Sequence, residues 1–373
     1  AMWPLPYGVS YNSYLIDDEM VALVDTVDIC YFEVYLRKIK QVIGERPINY
    51  LIINHMEPDH SGSIRLIKQH YPEIIIVGNK QTFGMIEGFY GVTGEQYLVK
   101  EGDFLALGHH KLRFYMTPMV HWPETMMTFD ETDGVLFSGD GFGCFGTVDG
   151  GFLDTRINVD KYWGEMVRYY SNIVGKYGSP VQKALQKLGG LPISAICSTH
   201  GPVWTENIAK VIGIYDRLSR YDADEGVVIA YGSMYGNTEQ MAEAIAEELS
   251  AQGVKNIVMH NVTKSHPSYI IADIFRYKGL IIGSPTYSNQ IFPEVEALLS
   301  KILLREVKGR YLGYFGSFTW AGAAVKRLAE FAEKSKFELV GDPVEMKQAM
   351  KDLTYTQCEN LARAMADRLK KDR

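Results

Sequence analysis

No two of the four cysteines stand close together: Cys30, Cys144, Cys197 and Cys358 are scattered over 373 residues. Without a C-x-x-C pair, the sequence argues against a rubredoxin-type iron site or an iron–sulfur cluster on this chain. Free thiols suit a reducing cytoplasm. Basic charge is also scarce. Lys and Arg total 38 against 45 Asp and Glu, a net charge of −7, so neither nucleic acid nor an anionic membrane is an expected partner. No unbroken apolar run is long enough to span a bilayer, and no charged-then-apolar leader opens the chain. The glycine-rich loop Gly232 to Thr238 is neither a Walker A loop, since no Gly-Lys-Ser/Thr ends it, nor the dinucleotide G-x-G-x-x-G. What remains is a well-packed globular chain, 46% hydrophobic and 12% aromatic, too long for one ordinary core and suited to two or three domains. It starts Ala1-Met2 and reaches strand-like sequence almost at once, at Tyr11 to Ile16, so the first domain is expected to lack a leading segment.

The densest chemistry lies in His55-Met56-Glu57-Pro58-Asp59-His60, where four potential metal ligands follow the apolar run Tyr50 to Ile53. A strand feeding a tight turn would fan these side chains into one pocket. The run resembles the H-x-H-x-D-H turn of metallo-β-lactamase-fold hydrolases, with Glu57 in place of the second histidine. Zinc sites are rich in imidazole and thiolate, whereas carboxylates mixed with imidazoles suit iron or manganese. Three more ligands stand after further strand-like runs: His121 beyond Leu112 to Met116, Asp140 after Val135 to Gly139, and His200 after Ala195 to Thr199. Each alone reads as an ordinary surface or core residue. Seven together are too many for one tetrahedral zinc and suit two metals sharing a bridging carboxylate.

A boundary is expected where the helix-like stretch from Asn207 to Leu218 gives way to the polar residues Ser219 to Gly226, separating domains at 1–220 and 226–373. Beyond it the buried-strand run Val227 to Tyr231 leads into Gly232-Ser233-Met234-Tyr235-Gly236-Asn237-Thr238. A helix follows with Met241, Ala244, Ile245 and Leu249 on one face, ended by Gly253. Hydroxyls and free N–H groups at a helix start form a cradle for phosphate. A plain glycine turn into a helix is the ordinary alternative. Two more buried strands, Gly279 to Gly283 and Tyr311 to Phe315, end in polar and aromatic loops (Ser284 to Asn289 and Gly316 to Gly322). Three such loops at one sheet edge can hold a phosphate and sandwich a flat ring. Simple loop packing would account for Tyr287 and Trp320 alone. The pattern resembles flavodoxin, which implies FMN on a doubly wound sheet.

An αββα metallo-β-lactamase-like domain with this ligand set, followed by a flavodoxin-like domain, resembles the A-type flavodiiron proteins over almost the whole chain. The resemblance implies a cytoplasmic oxidoreductase that takes dioxygen to water, nitric oxide to nitrous oxide, or both, at a non-haem diiron site fed by FMN. One iron would be held by His55, Glu57 and His121, the other by Asp59, His60 and His200, with Asp140 bridging. At the FMN phosphate it implies Ser233, Tyr235, Gly236, Asn237 and Thr238. Around the ring it implies Pro285, Thr286, Tyr287, Asn289, Ser317, Phe318, Trp320 and Gly322. Tyr170, in the helix-like run after the Asp140 loop, is nominated as a proton donor near the metals, with ordinary helix packing as the alternative it is weighed against. The working unit would be a head-to-tail homodimer or a dimer of dimers, with FMN of one subunit facing the diiron site of the other. Its electrons would come from an external donor such as rubredoxin or a reduced deazaflavin. Two other readings are a zinc hydrolase fused to a flavodoxin-like domain, opposed by Glu57 and the second ligand group, and an electron carrier with a vestigial metal site, opposed by the complete ligand set.

Overall fold

The computed structural model describes residues 2–372, which group into two units. One comprises Leu5–Tyr170 and Tyr177–Ser219. The other takes in residues 2–4, Ser171–Lys176 and residues 220–372. The division is therefore not one cut near residues 220–226, because six residues after Tyr170 group with the C-terminal unit. Among the described residues no helix is long and apolar enough to cross a membrane.

The first unit carries ten strands: β1 Tyr14–Ile16, β2 Ala22–Val24, β3 Tyr50–Ile52, β4 Ile75–Gly78, β5 Gln96–Leu98, β6 Phe104–Ala106, β7 Lys111–Met116, β8 Met126–Asp130, β9 Val135–Gly139 and β10 Ala195–Ser198. They form two five-stranded sheets, ordered β1-β2-β3-β4-β5 and β10-β9-β8-β7-β6. Strand alternation explains the layering, since successive side chains point to opposite faces. Ala22, Val24, Ile52 and Val77 join Leu112, Phe114 and Phe137 of the second sheet in one apolar cluster. Their neighbours Leu23, Leu51 and Ile76 turn to the other face, where Phe32, Leu36, Ile39 and Ile43 of helix Phe32–Ile43 cover them. Those helix positions recur every three to four residues, the spacing of an apolar stripe. With β7 antiparallel to β8, and β8 antiparallel to β9, the strands β7, β9 and β10 all run the same way. Their carboxyl ends therefore share one edge, where His121, Asp140 and His200 follow.

The second unit has strands β11 Asp224–Tyr231, β12 Ile257–Asn261, β13 Tyr277–Tyr287, β14 Gln290–Ile291, β15 Tyr311–Phe318, β16 Glu338–Leu339 and β17 Val344–Lys347. The order β12-β11-β13-β15 is parallel throughout, and both β16 and β17 pair with β15 to complete the far edge. Strand order reverses between β11 and β13, and ligands of open α/β sheets settle at that switch point. Val227 and Ile229 pack with Met241, Ile245 and Leu249 of helix Asn237–Ala251 and with Leu361 and Met365 of helix Asp352–Lys370. Gly253, at φ +86°, follows the first of these helices. Arg310 is buried and spends its guanidinium on backbone carbonyls, with Ile274 O at 2.7 Å, Phe275 O at 2.8 Å and Tyr221 O at 2.9 Å. Burial pushes its pKa down to about 10.

Candidate metal centre and ligand crevice

The ligand turn is partly helical. After β3 the chain places His55 and Glu57, and Pro58 then starts the single helical turn Pro58–Ser61 that carries Asp59 and His60. Proline fits the first helical position, whose N–H would be unbonded anyway. This turn points the four ligands two ways. His55 and Glu57 join His121 and Asp140 in one group, while Asp59 and His60 join His200 in a second; within each group the donor atoms lie within 4.8 Å of one another. Asp140 serves both. Its Oδ2 lies 3.1 Å from His121 Nε2 and 3.8 Å from His55 Nε2, and its Oδ1 lies 3.0 Å from His60 Nε2 and 3.9 Å from His200 Nε2. Glu57 Oε2 lies 3.1 Å from His121 Nε2 and 3.5 Å from His55 Nε2, and Asp59 Oδ2 lies 3.4 Å from His200 Nε2.

Metals fit this donor set. Among the described residues, His55 Nε2, Asp59 Oδ1 and His60 Nδ1 are buried without a hydrogen-bond partner, an arrangement that costs free energy unless something fills it. Burial raises the Asp140 carboxyl, but the imidazoles of His60, His121 and His55 outweigh it and hold the group well below the usual carboxylate range. Burial raises Glu57 as well, yet His121 and His55 bring it down to about 2. Burial disfavours a charged His200, but Asp59 and Asp140 lift it to about 9. The pocket's field thus favours positive charge, which divalent metals supply in place of imidazole protons.

Further residues orient the ligands, and sequence reading missed them. Glu124 Oε1 lies 2.9 Å from His55 Nδ1 and accepts from Met56 N at 2.9 Å. Ser10 O lies 2.7 Å from His200 Nδ1. Carboxylates and carbonyls only accept, so both Nδ1 atoms carry the proton and both Nε2 lone pairs are left for a metal. Thr199 Oγ1 donates to Asp140 Oδ1 at 2.6 Å. Gly201, next to His200, sits at φ +85° where a side chain would run into Cys144 Sγ. Tyr170 is fully buried with its ring edge-on to Tyr215 at 5.0 Å. The neighbouring Tyr169 instead packs its ring 5.6 Å from that of His200. Burial and then the charge of Asp140 push its phenol well above the usual range. Tyr169 therefore takes the place beside the ligands for which Tyr170 was nominated. The helix Asp160–Tyr169 passes here into a π-helical turn, Tyr170–Val174.

A third group, His110 with Asp130 and Asp133, lies apart on the turns. His110 Nδ1 lies 2.9 Å from Asp18 Oδ2 and Nε2 lies 3.3 Å from Asp133 Oδ2, so the imidazole pins three turns together.

In the second unit, the loop after β11 ends at Gly236, at φ +88°, a backbone that glycine adopts without strain. Gly236 precedes the first turn of helix Asn237–Ala251, and no side chain caps that turn. Its N–H groups are therefore available to an anion. Ser233 Oγ accepts from Gly236 N at 3.2 Å. Thr238 Oγ1 and Ser317 Oγ lie 2.8 Å apart, tying the helix start to the end of β15. Thr286 Oγ1 accepts from Ala323 N at 3.1 Å and Ala324 N at 3.3 Å, tying the end of β13 to the start of helix Ala324–Ser335. Pro285 pairs with Ser317 across the sheet. Ser288 and Asn289, both at positive φ, make the two-residue turn from β13 to β14 that starts beside Tyr287. Tyr235 is 87% exposed and Trp320 80% exposed. Aromatics this bare offer stacking faces for a planar ligand. Phe318 ends β15, and Gly322 abuts Glu345 of β17.

A family model described as ODP family beta lactamase matches residues 9–201, and a flavodoxin model matches residues 229–360. The anaerobic nitric oxide reductase flavorubredoxin of Vibrio vulnificus is 33% identical over 336 residues, covering 89% of this chain and 68% of that protein. Rubredoxin oxygen:oxidoreductase from Desulfovibrio gigas superposes with a TM-score of 0.95 at 31% identity, covering 98% of this chain and 92% of that one. The flavodiiron protein of Giardia intestinalis gives a TM-score of 0.92 at 26% identity, covering 99% and 92%.

Proposed function

The chain belongs to the flavodiiron family, and from that premise we propose that it is an oxidoreductase reducing dioxygen to water, nitric oxide to nitrous oxide, or both. Two irons and FMN are its cofactors. The observation that carries this reading is the split of Asp140, with Oδ2 turned to His55 and His121 and Oδ1 turned to His60 and His200. When bound, the irons supply a place for the gas and two electrons, and reduced FMN supplies two more. The protein's part is to hold and orient. His55, Glu57 and His121 would hold one metal; Asp59, His60 and His200 would hold the other. Thr199 fixes the bridging carboxylate by its 2.6 Å hydrogen bond. Glu57 and Asp59 keep 37% and 26% of their side chains exposed while Asp140 keeps 2%, which makes the Glu57–Asp59 side the way in for a small gas. In the second unit, the uncapped start of helix Asn237–Ala251 with Ser233, Tyr235 and Thr238 would bind phosphate, and Tyr287 and Trp320 would flank the ring.

Purified from iron-replete cells, the protein should hold about two irons and one FMN per chain and consume dioxygen or nitric oxide when given a chemical reductant. Two tightly bound zincs, with no reductase activity after iron reconstitution, would point instead to a hydrolase.

The working unit we propose is a cytoplasmic head-to-tail homodimer, alone or paired into a dimer of dimers, reduced by rubredoxin or a deazaflavin-type donor. The short stretch from Ser219 to Gly226 supports it by restricting how one chain could fold its flavin back onto its own irons. Mixing a subunit that cannot bind iron (Asp140→Ala) with one that cannot bind FMN should restore activity, because one junction of the mixed dimer keeps both cofactors. No recovery in verified mixed dimers would place electron transfer within a single chain.

A further inference from the structure

Glu124 carries a charge the fold does not need. It is wholly buried, its Oε1 accepts from Met56 N and His55 Nδ1 at 2.9 Å each, and among the described residues its Oε2 has no hydrogen-bond partner. A glutamine would meet the same two donors. An ionised carboxylate buried with a bare oxygen costs several kcal/mol unless positive charge lies near. The positive charge that would offset it is a metal held at His55 Nε2, on the far side of the ring that Glu124 meets at Nδ1. The residue is also fixed from behind. Asn79 Nδ2 donates to Glu124 O at 2.6 Å, and Asn79 itself caps helix Lys80–Tyr90 through Gln81 N and Thr82 N.

The second ligand group has no such support. His200 Nδ1 faces the neutral carbonyl of Ser10 at 2.7 Å, and His60 Nδ1 has no partner. A carboxylate on the far nitrogen makes an imidazole a stronger donor, and a carbonyl does so less. In a dry pocket that difference is little screened.

We infer that Glu124 is a positioning residue that makes the two metal positions unequal, lending negative charge through His55 to one metal and not to the other. This rests on the dinuclear reading above. The metal among His55, Glu57 and His121 is then the firmly held one and the one that favours the ferric state. The metal among Asp59, His60 and His200 is the labile one.

The test loads the native holoprotein, Glu124→Gln and His60→Asn anaerobically with ferrous iron, counts iron per chain, and follows release to a ferrous chelator. The native protein should release its two irons in two phases. Glu124→Gln should speed the slow phase by about 10–100-fold and leave the fast phase within about twofold. His60→Asn should speed the fast phase and spare the slow one. Circular dichroism and the melting transition of the first unit, read on the same samples, report that the variants fold. A single release rate for both irons in the native protein overturns the inference without recourse to any variant. So does a Glu124→Gln protein that releases iron like the native one, or that loses both irons equally faster. A native chain holding fewer than two irons overturns the dinuclear reading itself, which is a different failure.

Discussion

The Nε2 atoms of His60 and His200 lie 3.0 Å apart, and Asp140 Oδ1 lies 3.0 Å from the first of them. Two imidazole nitrogens this close cannot both carry protons without repelling each other, and a cation between them and the carboxylate relieves the conflict. Metal binding should therefore stabilise the fold. Removing metal with a chelator should lower the melting temperature, and added ferrous iron should restore it in a concentration-dependent way, by about 2.7 kcal/mol at a hundred times Kd. Asp140→Asn should weaken both metals together, and His60→Asn should do less harm. Melting indifferent to iron would contradict the assignment.

Flavin retention should depend on Thr238. Its hydroxyl is buried, 2.8 Å from Ser317 Oγ, at a helix start that no side chain caps. Thr238→Val keeps the volume and removes that hydroxyl, so FMN should leave on dilution, read as a rise in free-flavin fluorescence. FMN should copurify with the native protein and FAD should not. Equal retention of FMN in the variant would contradict the cradle.

A pH dependence should come from His110. Burial disfavours its charged form, but Asp18, Asp130 and Asp133 more than offset this and raise its pKa above the ordinary value of 6.5. A raised histidine contributes its full stability below the unfolded pKa and loses it as pH climbs through the folded one. For Asp18 the hydrogen bond from the His110 backbone, with those from Glu19 and His109, lowers the pKa despite burial. Its contribution is present above the unfolded value of 3.8 and is lost as pH falls below it. His110→Ala should thus destabilise most between about pH 4 and pH 6.5 and least in alkali. Chemical denaturation at several pH values measures this, and a pH-independent difference would contradict it.

How much was legible in the sequence depended on whether a contact is local. The ligand turn from His55 to His60 sits in six consecutive residues, and His121, Asp140 and His200 each follow a strand that alternation reveals. The flavodoxin-like sheet was legible for the same reason, because buried parallel strands read as apolar runs before glycine-rich loops. Glu124 was not, because it meets His55 across 69 residues, nor was Ser10, which meets His200 across 190. Nothing local marks either partner. Which of the adjacent Tyr169 and Tyr170 faces His200, and the grouping of Ser171–Lys176 with the second unit, depend on tertiary contacts alone.

The central claim is that electrons leave FMN through the metal pair to the gas. Stopped-flow mixing of fully reduced protein with nitric oxide, and separately with dioxygen, follows the flavin band directly. Native protein should return its flavin to the oxidised spectrum within a turnover for at least one gas. Asp140→Ala, folded and FMN-loaded but without metals, should keep its flavin reduced under nitric oxide and reoxidise only slowly under dioxygen. Flavin reoxidation as fast in Asp140→Ala as in the native protein, with both gases, would contradict the account.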